Sequence, residues 1–372
     1  MSVPFLDLKA QAAEIADDVL PVWRRLFADA EYIGGAQVAG FEQEFAAYSG
    51  VRHVIGVGNG TDALELAYRA VGVGPGDEVI VPVNTFIATA EAVSRTGAVP
   101  VFVDVDEHLL IDPQAVEAAI TPRTRAIAPV HLYGQTADLG ALSAIATRHD
   151  LVLVEDGAQS QGATSPAGRA GAVGRVSATS FYPGKNLGAS GDAGAVLTND
   201  DRIAEYVRSV AAHGSTVKYV HDHVGVNSRL DAVHAVTLRA KLRRLDAWNA
   251  ARRAAAERYA ELLRDLPGVA TPVTRPGNVD VWHLYIVQVD DRERVMAALA
   301  EAGIGAAIHY PHPLHLTAAY ADLGYSRGQF PVAEAAGDRI LSLPMFPHLT
   351  AGQQEQVADA LVRAVSLAGA RG

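Results

Sequence analysis

The spacing of apolar and polar positions changes along the chain, and the changes outline its architecture. Between about residues 50 and 200, short apolar, β-branched runs alternate with stretches that carry an apolar stripe. Val54-Ile-Gly-Val57, Glu78-Val-Ile-Val-Pro82, Val99 to Val105, Ala126 to His131 and Leu151 to Glu155 read as buried strands. Thr61 to Val71, with Leu64, Ala67 and Tyr68 on one face, and Thr85 to Thr96 read as helices between them. This alternation predicts an α/β fold: a mostly parallel sheet covered by helices. Leu230 to Leu266 has neither Gly nor Pro and is rich in Ala, Leu and Arg, which predicts a long helix, continuous or broken, leading out of the sheet domain. After Pro267-Gly268, a strand around Leu284 to Val289, a helix from Asp291 to Ala302 and a final helix after Thr350 predict a smaller α/β domain. The expected division is a large domain over residues 1–245, counted with the N-terminal segment, and a small C-terminal domain over 246–372; the N-terminal segment could also join the small domain.

Composition narrows the setting. A chain of 372 residues is too long for one small core. It has no cysteine, which excludes disulfides, thiolate metal sites and cysteine nucleophiles and fits a reducing compartment. The opening Met1-Ser-Val-Pro-Phe-Leu-Asp-Leu8 lacks the basic and apolar regions of a signal peptide, and no apolar run is long enough to span a bilayer. A cytoplasmic protein without membrane contact is expected. The net charge of −11 argues against a broad nucleic-acid surface, so positive charge for an anionic substrate must be local.

The chemistry concentrates in Ser177-Ala-Thr-Ser-Phe-Tyr-Pro-Gly-Lys-Asn-Leu-Gly188. Lys185 lies in a Pro-Gly turn, between an apolar run and the small Gly188-Ala-Ser-Gly-Asp-Ala-Gly194. A lysine in a turn is usually a solvated charge, but one packed between such runs is desolvated, which lowers its pKa and makes it a nucleophile for a carbonyl. Upstream, Val152-Leu-Val-Glu-Asp-Gly157 ends a strand on Asp156, at the sheet edge where open α/β folds bind ligands. The plainer role for Asp156 is a helix cap or turn acid. Gln159 could reach the same ligand. Gly58-Asn-Gly-Thr-Asp-Ala63 joins a strand to a helix and offers amides to a phosphate, with the Ser180 hydroxyl as a further donor. It has neither the P-loop spacing nor the dinucleotide fingerprint. Phe86 suits stacking on an aromatic cofactor or ordinary core packing. A lysine for a Schiff base and an acid for a pyridinium nitrogen form the protein's side of pyridoxal phosphate (PLP) chemistry. His213 to Asp231 is polar; its three histidines lack metal-site spacing and a carboxylate cluster, so no metal is expected and a substrate-facing loop is, with Tyr219, His221 and Arg229 as contacts.

The chain closely resembles the DegT/DnrJ/EryC1/StrS family of PLP-dependent sugar aminotransferases. The resemblance rests on Pro4-Phe-Leu-Asp-Leu8, Gly58-Asn-Gly-Thr-Asp-Ala-Leu64, Val130-His-Leu-Tyr-Gly-Gln135, Glu155-Asp-Gly-Ala-Gln159, Ser180-Phe-Tyr-Pro-Gly-Lys-Asn-Leu-Gly188, Gly225-Val-Asn-Ser-Arg-Leu-Asp231, Ile308-His-Tyr-Pro311 and Leu343-Pro-Met-Phe-Pro-His-Leu-Thr350. It implies the aspartate-aminotransferase type of fold (fold type I), with a mostly parallel seven-stranded sheet, and a homodimer with two shared sites. It makes Lys185 the Schiff-base lysine and Asp156 the partner of the pyridine nitrogen. Gln159 then lies near the cofactor phenolic oxygen, Phe86 over the ring, and Gly60, Thr61 and Ser180 around the phosphate. Asn227 would reach that phosphate from the neighbouring subunit, and His309 and Tyr310 would join the substrate contacts. Two departures are visible: Gly157 replaces the usual alanine, and Ala36 stands where proline is common. Neither touches reacting atoms.

The resemblance implies transfer of an amino group from L-glutamate, released as 2-oxoglutarate, to a keto group on a nucleotide-linked deoxysugar. The cofactor alternates between PLP and pyridoxamine phosphate (PMP). The opening segment and Ile308-His-Tyr-Pro311 favour a dTDP sugar and C3 in an amino-sugar pathway such as antibiotic biosynthesis; C4 of a 4-keto-6-deoxyhexose is the alternative. A family dehydratase would carry histidine in place of Lys185, and a cysteine desulfurase would need a cysteine. A non-catalytic PLP-binding regulatory protein would not need Lys185 and Asp156 together.

Overall fold

The protein, seen as a computed structural model, is described over residues 2–369. Seven strands form the main sheet: β1 (His53–Val57), β2 (Glu78–Pro82), β3 (Val99–Val103), β4 (Thr124–Ile127), β5 (Val152–Asp156), β6 (Val176–Ser180) and β7 (Gly194–Thr198). Their spatial order is β1-β7-β6-β5-β4-β2-β3. All pairings are parallel except those of β7, which runs antiparallel to both β1 and β6. The linker between β6 and β7, residues 181–193, forms no crossover helix, and the chain turns back so that β7 pairs antiparallel. That linker is the Lys185 loop. Strands β2 and β7 are buried at every position, as expected for strands covered on both faces.

Helices α1 (Leu8–Asp29) and α2 (Gly35–Ser49) precede the sheet, and α3 (Gly60–Ala70), α4 (Ala88–Arg95), α5 (Pro113–Ala118), α6 (Leu139–Arg148) and α7 (Asp201–Ala211) connect or cover its strands. The α4 helix starts three residues later than the sequence predicts, so Phe86 precedes it and lies in the loop after β2. The long helix takes its broken form, as α8 (Ala232–Leu242) and α9 (Leu245–Leu262), with the break at Arg243-Arg244. A short exposed hairpin, β8 (Ser215–Val217) and β9 (Val220–His221), lies between α7 and α8.

A second, antiparallel sheet holds β10 (Val269–Ala270), β11 (Tyr285–Val289) and β12 (Ile340–Leu343), in that order. With α9, α10 (Arg292–Glu301) and α11 (Ala351–Gly369) it encloses a separate core that includes Tyr259, Tyr285, Val287, Leu299, Leu343 and Leu361. Val3 belongs to that core; its N–H donates to Gly303 O at 2.9 Å and its carbonyl accepts from Gly305 N at 2.8 Å. The N-terminal segment thus joins the second body before α1 packs on α8 beside the first. Among the described residues, no helix is long and apolar enough to cross a membrane.

One buried carboxylate fixes the loop beneath the carboxyl ends of the central strands. Glu155 is fully buried and accepts hydrogen bonds from His131 Nε2 (2.8 Å) and from the backbone N–H of Gly171, Val173 and Gly174 (2.8, 2.9 and 2.5 Å). Burial pushes its pKa up, but these donors more than offset that and hold it below the ordinary carboxylate range. A depressed folded-state pKa gives stability that is present above the unfolded value and lost as pH falls through the folded one. Glu155→Gln should therefore cost about 3–5 kcal/mol in chemical denaturation at neutral pH, and the gap from wild type should narrow in acid. An unchanged denaturation midpoint would show that the loop does not depend on this charge.

Candidate active site

The carboxyl ends of the parallel strands open into a cavity of about 420 Å³. Asp156, the last residue of β5, and Lys185, from the β6–β7 loop, both line it. Asp156 is 4 % exposed; its Oδ2 accepts from the Thr89 hydroxyl at 2.7 Å and its Oδ1 from Ala158 N at 3.1 Å. Burial raises the Asp156 pKa, opposed by these two hydrogen bonds and by the nearby Lys185 and His131. Burial in turn lowers Lys185 to about 8, against the pull of Asp156. Each group is destabilised as an ion by desolvation and partly restored by the other, a pattern that marks functional clefts more often than structural ion pairs.

The phosphate-type loop is built around the start of α3. Asn59 caps the helix by accepting from Asp62 N at 2.8 Å, while the first-turn amides of Gly60 and Thr61 have no acceptor within the helix. A Cβ on Gly60 would lie 2.6 Å from Ser180 Cβ, so only glycine lets the helix start approach the end of β6. Ser180, Gly60 and Thr61 face the cavity together. Ser228 supports this loop from the opposite side: its hydroxyl donates to Asp62 Oδ2 at 2.8 Å and accepts from Gly58 N at 2.9 Å.

Gln159 is buried, with Oε1 accepting from Tyr133 N at 2.7 Å and Nε2 donating to the Tyr310 hydroxyl at 3.2 Å. Phe86 is 52 % exposed at the mouth, its ring centroid 5.5 Å from that of Tyr310. His309 stacks on Phe5, with centroids 5.6 Å apart, and burial lowers its pKa to about 4, with Lys185 adding to the effect. Of the residues singled out from sequence, Gly60, Thr61, Phe86, Asp156, Gln159, Ser180, Lys185, His309 and Tyr310 line one cavity. Tyr219, His221, Asn227 and Arg229 are exposed and are not brought into the cavity of their own chain. Among the described residues no cluster of His, Asp or Glu could hold a metal ion.

Several residues of the site carried no sequence signal strong enough to assign. Thr89 looked like an ordinary helix residue, and its bond to Asp156 spans 67 positions. His131 and Glu155 lie within motifs that give neither a role, and their hydrogen bond spans 24 positions. His283, at the entry of the predicted strand over 284–289, meets Asn186 from 97 positions away.

These side chains fit PLP: a desolvated lysine for the aldehyde, a buried acid for a ring nitrogen, and unpaired helix amides with a hydroxyl for the phosphate. Comparisons with known proteins agree. A model described as the DegT/DnrJ/EryC1/StrS aminotransferase family matches residues 14–362. The chain is similar to the erythromycin biosynthesis sensory transduction protein EryC1 of Saccharopolyspora erythraea, 51 % identical over 97 % of this chain and 99 % of the relative. It is 49 % identical to a dTDP-3-amino-3,4,6-trideoxy-alpha-D-glucose transaminase of Streptomyces venezuelae, over 96 % of this chain and 95 % of that one. A UDP-2-acetamido-2-deoxy-3-oxo-D-glucuronate aminotransferase of Pseudomonas aeruginosa is 43 % identical over 96 % and 99 %. Among solved structures, S. venezuelae DesV superposes with a TM-score of 0.95 at 48 % identity, covering 97 % and 98 % of the two chains. NtdA of Bacillus subtilis, with bound cofactor PMP, gives 0.91 at 32 % identity over 98 % and 85 %.

The lowered Lys185 pKa has a direct consequence. Cofactor-free protein should capture PLP faster as pH rises, with the rate levelling off above about 8, where the amine is neutral. Stopped-flow absorbance measures this; a midpoint near the ordinary lysine value would mean the amine is not desolvated.

Proposed function

The chain belongs to the DegT/DnrJ/EryC1/StrS aminotransferase family, whose members depend on PLP, and from that premise we propose that it aminates C3 of a dTDP-linked keto-deoxysugar with L-glutamate as donor. The observation that carries this reading is the meeting of Lys185 and Asp156 at one cavity, where burial favours the neutral amine and the Thr89 hydroxyl, Ala158 N and Lys185 favour the Asp156 carboxylate.

When bound, PLP supplies the electron sink for the carbon that loses its proton. The Asp156 carboxylate, fixed by Thr89 and Ala158 N, holds a proton on the ring nitrogen and so keeps that sink effective. Gly60 and Thr61 amides and the Ser180 hydroxyl grip the phosphate. Gln159, oriented by Tyr133 N, would present its side-chain amide to the phenolic oxygen, and Phe86 would cover the ring. Lys185, once released, takes the proton from the donor Cα and delivers it to C4′ of the cofactor; with the keto-sugar it runs the transfer in reverse. Neutral Nζ is the base, and an amine near 8 is poised for both directions at neutral pH.

Relatives named for 3-amino dTDP sugars support C3 and dTDP. A relative named for a UDP sugar makes UDP the second reading of the nucleotide, and C4 remains the second reading of the position. A panel of dTDP- and UDP-linked 3-keto and 4-keto sugars, offered to the PMP-loaded protein with products identified by mass and NMR, separates these; conversion of the 4-keto sugar alone would reject C3.

The proposal includes a homodimer with shared sites. Asn227 is exposed away from its own cavity, and the hairpin and the segment after it present Tyr219 (82 % exposed) and Val224 (94 % exposed), apolar surface suited to a second copy. Asn227 would then reach the partner's phosphate, with Tyr219, His221 and Arg229 near the partner's substrate.

Lys185→Ala should abolish turnover, and Asp156→Asn should keep the fold while slowing the glutamate half-reaction by about a hundredfold or more. Wild-type rates in single-turnover measurements would remove either residue from the mechanism. Mixing inactive Lys185→Ala with an Asn227→Ala variant weakened in PLP retention should restore activity, since one site of a mixed dimer keeps both groups. Subunit exchange proven by a tag, without recovered activity, would rule out shared sites.

A further inference from the structure

The Lys185 loop is held by a hydrogen-bond chain that fixes the protonation pattern of a further cavity residue, His283. Asn186, next to Lys185, is buried; its Nδ2 donates to Val281 O at 2.9 Å and to Asn249 Oδ1 at 3.0 Å. A backbone carbonyl can only accept, so the amide orientation is determined, and Asn186 Oδ1 is the atom 3.0 Å from His283 Nδ1. His283 Nδ1 therefore carries a proton. In the neutral ring the lone pair then sits on Nε2. Among the described residues Nε2 has no hydrogen-bond partner, and the ring lines the cavity with Lys185.

The backbone on either side leaves this ring little freedom. Arg252, fully buried, donates from Nη1 to Trp282 O and Met345 O, both at 3.0 Å. Gly134 packs so closely that a Cβ there would lie 2.6 Å from His283 N. Burial holds the imidazole well below its usual pKa, and the charges that face it, Lys185, Arg252 and then His309, act in the same direction. The one charged group acting on Lys185 in return is Asp156. When Asp156 is engaged with a ring nitrogen, the freed lysine needs a different acceptor.

We propose that His283 is a positioning residue for Lys185: once Asp156 is engaged by the cofactor ring nitrogen and the lysine is released, the His283 Nε2 lone pair accepts a hydrogen bond from Nζ and so keeps the amine at the cavity wall during proton transfer. This rests on Lys185 being the reactive lysine. The chain has four lysines, Lys9, Lys185, Lys218 and Lys241, so lysine-labelled protein gives a readable NMR spectrum. In the PMP-loaded protein, His283→Leu removes the acceptor that favours the ammonium form, and the Lys185 midpoint should fall by about one pH unit. His283→Gln, which can accept at a similar position, should restore most of the shift. A midpoint that stays or rises in His283→Leu overturns the proposal. Should that variant fail to fold, nitrogen NMR of wild type decides: a proton on Nδ1 and none on Nε2 is expected, and a proton on Nε2 at neutral pH overturns it. Normal turnover by Lys185→Ala would instead overturn the reading of Lys185 itself.

Discussion

The structure is organised around the cost of taking one amine and one carboxyl group out of water at the same place. Neither Lys185 nor Asp156 would be retained there as an isolated ion; desolvation pushes the lysine down and the acid up, and their proximity offsets part of each shift. Thr89 and Ala158 N stabilise the acid with hydrogen bonds, and the Asn186 chain secures the lysine's loop. Glu155, one residue before Asp156, anchors the backbone beneath by three N–H donors and His131. The outcome is a lysine pushed down to about 8, as the proposed roles of nucleophile and proton carrier require.

The sheet topology explains why these groups meet. Parallel strands bring the ends of β1, β2 and β5 to one edge, where the start of α3, Phe86 and Asp156 face the same cavity. The reversed strand β7 folds the β6–β7 loop back over that edge and places Lys185 there. His283, His309, Tyr310 and Met345 close the opposite wall, Met345 from the second core and Tyr310 packed against the first.

Much of this was legible in the amino-acid order. Apolar runs such as Glu78–Pro82 announced buried strands because both their faces are covered, and Asp156 at a strand end and Lys185 in a Pro-Gly turn announced chemistry because such ions are costly when packed. α4 starts later than its pattern predicts because the loop before it carries Phe86 and Ile87, apolar residues that mimic a helical stripe while Phe86 serves the cavity mouth and Ile87 packs on the core. Strand β7 was hidden behind the Gly-rich run, and its antiparallel course depends on the absence of a crossover helix rather than on its own residues. Thr89, Ser228 and His283 were illegible because each acts through a partner far away in sequence: Asp156, Asp62 and Asn186 lie 67, 166 and 97 positions off.

The central claim is that the buried Lys185–Asp156 pair, loaded with PLP, exchanges amino groups with an amino acid. The most direct measurement is the visible absorption of the PLP-loaded protein during titration with L-glutamate alone, with 2-oxoglutarate assayed in the same cuvette. The account predicts that the visible band fades as about one equivalent of 2-oxoglutarate forms per site. A band that persists at saturating glutamate, with no oxoacid released, would contradict it.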